Sequence, residues 1–168
     1  MKDEAKTQLK KIIGDYDARL AESERVDAVN RAANAAFPER FVAFKTKTIR
    51  PALQEIADLL NERGHEATVR EQEESSSTAG GVKSAAVSLR VIPKPFAHKS
   101  TEPNPTSIEV TFAANRSDRT VTVSSTNTML SHGGSVGKRG AYEIDAVTVD
   151  VVASHVIQTL HDAFGGQR

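Results

Sequence analysis

Apolar residues at Leu9, Ile12, Ile13, Tyr16, Leu20, Val26, Val29, Ala33 and Phe37 recur at gaps of mostly three and four through a charged segment rich in helix formers. That spacing returns side chains to one side of a 3.6-residue turn and predicts a helical arm over residues 2–36. The stripe weakens at Ser23, and Gly14 costs about 1 kcal/mol relative to alanine, so the arm reads as one helix or as two joined near residues 22–25. Its thin seam suits a helix that lies across a body or against a copy of itself. Leu9, Ile12, Tyr16 and Leu20 are the candidate interface.

Pro38 predicts a break, because proline disfavours the helical conformation in the residue before it, here Phe37. A second helical block follows, with Phe41, Phe44, Ile49, Leu53, Ile56, Ala57 and Leu60 at helical spacing and Gly64 where a helix ends in the left-handed conformation. Pro51 either opens a helix running to Arg63, where its missing N–H costs nothing, or kinks a longer helix, and the first reading is preferred. Residues 39–49 also read as helical.

Beyond Gly64 the period changes to two. Ala67 and Val69 form a short strand, and the polar run from Glu71 to Gly81 reads as a loop. Three cleaner strands bury Val87, Leu89 and Val91; Ile108, Val110, Phe112 and Ala114; and Val121 and Val123. Their alternate positions carry Ser88, Arg90, Glu109, Thr111, Thr120, Thr122 and Ser124, which predicts an antiparallel sheet with one packed and one wet face. A fifth strand is predicted over AYEIDAV, with Tyr142, Ile144 and Ala146 on one side. Thr148 caps a closing helix, whose expected stripe is Val149, Val152, Ala153, Val156, Leu160 and Phe164.

The fold class is therefore α+β: N-terminal helices, a four- to five-stranded mainly antiparallel sheet with one face covered by helices, and a C-terminal helix packed on that sheet. The expected organisation is an arm over residues 1–36 followed by one domain over 37–168. A chain of 168 residues is long enough for a single core without staples.

The 22 basic and 22 acidic residues cancel, which removes the compositional case for a polyanion or an anionic membrane as main partner. The chain has no cysteine, so thiol catalysis and thiolate zinc sites are excluded. No apolar run spans a bilayer and the start is charged, so a cytoplasmic location without the usual export signal is expected.

The segment SHGGSVGKRG resembles a phosphate-binding loop only in composition. His132 stands where a P-loop needs its first glycine, Arg139 replaces the magnesium-holding hydroxyl residue, and a strand rather than a helix follows. No histidine pair has metal-ligand spacing: His155 and His161 diverge by about 120° around their helix and both read as flanking its polar side. Glu109, Glu143 and Asp145 are explained by the charge pattern of a wet sheet face. No serine lies in a nucleophile motif.

No catalytic residue, metal or cofactor is assigned. The preferred function is a non-enzymatic binding or assembly module, a homodimer or other homo-oligomer, or the binder of a protein partner. The alternative is an enzyme or binder of a small or phosphate-bearing ligand that uses the loops at 93–106 and 127–140 through His98, His132, Lys138 and Arg139. Third is weak nucleic-acid binding through Arg40, Lys45, Lys47 and Arg50, set against acidic Glu66, Glu71, Glu73 and Glu74. Those charges read more simply as a solvated face or a contact between subunits.

Overall fold

The computed structural model describes residues 3–76, 81–99, 106–129 and 135–165, with backbone only at 98 and 99. Its first element, helix α1 (Asp3–Phe44), runs unbroken through the joint that the sequence allows near residues 22–25 and through the break predicted at Pro38. At the first, Arg25 donates Nε to Glu22 Oε2 at 2.9 Å and Nη2 to Glu22 Oε1 at 2.7 Å, an i, i+3 pair that bridges residues 22–25. At the second, Pro38 lies inside the helix. An interior proline costs about 3 kcal/mol. Phe37 and Phe41, both buried, flank it, and full burial of each contributes about 1.5–3 kcal/mol, so the two rings together offset the break.

A five-residue π turn, Lys45–Ile49, leads into helix α2 (Arg50–Glu62), with Pro51 in its first turn as expected. In a regular α-helix the Pro51 ring would meet the carbonyl of Lys47. The wide turn falls where that clash would occur, and Arg50 N–H bonds to Lys45 O instead. Gly64 follows α2 at φ 83°, the left-handed conformation that closes a helix without a Cβ penalty.

The strands are β1 (Glu66–Gln72), β2 (Ser75–Ser76), β3 (Val82–Lys83), β4 (Ala86–Ile92), β5 (Ile108–Asn115), β6 (Thr120–Asn127) and β7 (Ser135–Glu143). Five of them form an antiparallel sheet in the order β1-β4-β5-β6-β7. β2 and β3 pair separately, so part of the predicted polar loop is a short ladder. Register aligns Ala67 with Val91, Val91 with Ile108, Leu89 with Val110, Phe112 with Val123 and Ala114 with Val121, which collects the apolar residues on one face. Helix α2 packs over β1 and β4, and helix α3 (Val149–Gly165) over β5 and β6 and against α2. The other face holds the expected polar residues, and Ser88 Oγ donates to Glu109 Oε1 at 2.6 Å across β4 and β5.

The fifth strand of the sheet is displaced from its predicted position. β7 begins at Ser135 and ends at Glu143, while Ile144–Ala146 is a 3-10 turn that leads toward α3. Both faces of residues 135–138 are exposed, so no hydrophobic alternation marks this edge. The stripe of α3 is also rotated. Val152, His155, Val156, Thr159 and Ala163 are buried, whereas Val149 and Phe164 are exposed. Thr148 caps the helix as predicted, its Oγ1 accepting from Val151 N at 3.3 Å. The chain divides into two compact units, Met1–Ala36 and Phe37–Arg168.

Candidate interaction surface

In the first unit, Leu9, Ile12, Ile13, Tyr16, Leu20, Val26 and Val29 are all large, apolar and exposed, at 43–63% of their full surface. The four predicted interface residues are among them. The helical repeat places Leu9, Ile12, Ile13, Tyr16 and Leu20 within about 100° of one another around the axis, while Val26 and Val29 drift away from that stripe. Two exposed ion pairs, Lys6 with Asp3 and Arg25 with Glu22, sit at i, i+3 and lend the helix only marginal support in water.

Of the four predicted ligand residues, the structure describes the side chains of Lys138 and Arg139. His132 lies outside the described residues, and His98 is placed only by backbone, in the 3-10 turn Lys94–Lys99. Lys138 and Arg139 are strand residues rather than loop residues, and they diverge. Lys138 pairs with Ser124, a wet-face position, while a β-bulge in the pairing of β6 with β7 leaves Arg139 as the extra residue. From there Arg139 Nε donates to Ser125 Oγ and Nη1 to Asp162 Oδ2 of α3, both at 2.8 Å. The bulge re-aims one cation toward the helix-covered face.

Next to that contact is a polar group that the sequence reading missed. His155, 9% exposed, is not on the polar side of α3. Its Nε2 lies 2.8 Å from Tyr142 Oη, and its ring meets the Phe112 and Tyr142 rings edge-on. Gly140 makes room for this: a Cβ there would stand 2.8 Å from Tyr142 Cε2. Burial, and secondarily the Arg139 charge, hold the imidazole below its ordinary pKa of 6.5. Tyr142, Asp150, Val151, Ser154, His155 and Gln158 line an adjoining cleft of about 310 Å³. The available signal was spacing: His155 and Thr159 fall with Val152, Val156 and Ala163 on one side of the helix. Thr159 has a partner within the helix, its Oγ1 donating to His155 O at 2.8 Å.

Three members of the basic cluster, Arg40, Lys45 and Arg50, are paired with carboxylates of the chain, while Lys47 is exposed. Lys45, only 1% exposed, is 2.9 Å from Glu71 and 3.0 Å from Glu73, and Arg50 Nε is 2.9 Å from Glu71. Burial acts to lower the Lys45 pKa, but the hydrogen bonds it donates to Glu71 and Glu73, with their charges, outweigh it and the net shift is upward. Glu71 is lowered, first by its bond to Lys45. Arg40 pairs with Asp145, and Arg116 with Glu74. The i, i+4 run Phe41–Lys45–Ile49, with both flanking residues buried, was the sequence sign that Lys45 points inward.

Among the described residues no group of three or more His, Asp or Glu is placed to hold a metal ion, and no helix is long and apolar enough to cross a membrane. Comparison with protein-family models, curated proteins and solved structures finds no match.

Proposed function

We propose that this chain is a non-enzymatic assembly module that forms a homodimer through the helical segment 3–36. The uncovered stripe carries the reading. Most helical stability in proteins comes from packing an apolar face rather than from propensity, and Leu9, Ile12, Ile13, Tyr16 and Leu20 share one exposed side of the first unit's helix. A second copy presents the same stripe, so one isologous contact covers both. The ion pairs of Lys45, Arg50 and Arg40 with carboxylates of their own chain favour a protein partner over a polyanion, whose phosphates would have to displace them.

The test is sedimentation equilibrium on the full chain across a concentration series. The wild type is expected to approach twice the chain mass. The double variant Ile12→Glu/Leu20→Glu is expected to remain a monomer with an unchanged β signal in circular dichroism, because both positions are exposed. A wild type that stays monomeric to about 1 mM, where even a contact of about 4 kcal/mol is half occupied, overturns the reading.

A further inference from the structure

Resting on that homodimer, we infer that the two arms pair antiparallel, with Leu9 of one copy against Val26 of the other. From Leu9 the positions Ile12, Tyr16, Leu20, Ser23, Val26, Asn30 and Ala33 follow at steps of three or four. Their mean step is near the 3.5 residues of a two-stranded coiled-coil seam. The helix is continuous over all of them, and its apolar members up to Val26 are exposed.

Charge selects the direction. Residues 6–11 hold Lys6, Lys10 and Lys11 and no acid, while residues 15–27 hold Asp15, Asp17, Glu22, Glu24 and Asp27 against Arg19 and Arg25. A parallel, in-register pair sets each block beside its own copy, lysine against lysine and acid against acid. The antiparallel pair instead lays residues 6–11 along residues 24–29 of the other copy, where Glu24 and Asp27 outnumber Arg25, and two-fold symmetry makes that contact twice. With Leu9 against Val26, Ile13 comes beside Leu20 and Lys6 beside Asp27 at the flanks of the seam. The same register brings Asp15 opposite Glu22. Arg19, one turn from both along its own helix, carries the compensating charge.

The chain has no cysteine, so single introduced thiols report the pairing directly. Leu9→Cys and Val26→Cys chains are mixed, oxidised and resolved without reductant. The expected product is the mixed disulfide, with little product from either variant alone. In the antiparallel pair, equivalent positions 9 are about 25 Å apart along the helices, beyond disulfide reach. Disulfides within each variant alone, without the mixed product, show a parallel dimer: the orientation is overturned and the dimer stands. A dimer by sedimentation with no mixed product also overturns the orientation, and a monomer overturns both readings. As an independent arm, Lys6→Glu/Lys10→Glu/Lys11→Glu is expected to raise the dimer Kd at least about tenfold, and added salt to raise the wild-type Kd. A Kd that falls with salt points to like charges in contact and overturns the antiparallel pairing.

Discussion

His155 is a buried imidazole whose charge state matters to the fold. Its pKa is depressed below 6.5, first by burial and then by Arg139. The unfolded chain therefore takes up a proton at higher pH than the folded chain does, so this residue's contribution is complete above 6.5 and is lost as pH falls through the depressed value. Protonation also turns Nε2 into a donor, so that Tyr142 must accept the hydrogen bond. Between about pH 7 and about pH 5.5 the melting temperature of the wild type is expected to drop more than that of His155→Gln, which keeps a polar group but does not titrate in this range. Parallel curves for the two proteins would show that His155 contributes nothing to the pH dependence.

Lys45 makes the complementary case at the same scale, because its two carboxylates differ in exposure. The Glu71 side chain is 30% exposed and also holds Arg50, whereas that of Glu73 is 72% exposed. Glu71→Gln leaves a buried ammonium with one solvated partner and is expected to cost about 2–4 kcal/mol. Glu73→Gln is expected to cost less than about 1 kcal/mol. Urea unfolding of the two variants measures both, and equal losses would show that Lys45 relies on neither carboxylate in particular.

At the scale of elements, the sequence was most legible where apolar periodicity and burial coincide. Val87, Leu89, Val110, Phe112, Val121 and Val123 were placed on the packed face from alternation alone, and α2 from Pro51, Leu53, Ala57 and Gly64. Residues 135–140 were read as loop because glycines and exposed side chains hide a strand whose evidence is backbone pairing to β6. The α3 stripe is misphased in the sequence because an apolar count gives no weight to His155, which bonds to Tyr142 of β7, or to Thr159, which bonds to the carbonyl of His155. Of the candidate site, the apolar spacing of the arm is legible in the sequence, while the setting of Arg139 is not, because its position depends on a bulge. Pro38 was read as a break because local preference was weighed without the burial of Phe37 and Phe41. That last point is testable: if the rings hold the helix against the cost of proline, Pro38→Ala is expected to raise stability by about 1–3 kcal/mol in guanidinium unfolding. A loss of stability would mean that the proline sets the placement of those rings.

At the scale of the whole chain, the two units differ in what protects their backbone. In Phe37–Arg168, strands β4, β5 and β6 are paired on both sides, and Val87, Phe112, Val121 and Val123 are fully buried. In Met1–Ala36 every described side chain except those of Ala33 and Asn34 is exposed. Amide exchange follows the free energy of local opening, which is small where few apolar contacts must be broken, and a helix held by propensity alone is marginal in water. At low micromolar concentration the amides of 9–26 are expected to exchange orders of magnitude faster than those of 87–91, 108–114 and 121–123. Self-association adds a contact that opening must break, so slowing of the arm amides with concentration is expected to be confined to the arm and greatest over 9–26. The sheet amides serve as the internal control, because their protection comes from within one chain. Arm amides as slow as the sheet at every concentration would show that the helix is stable without a second copy, removing the physical reason for the exposed stripe to seek one.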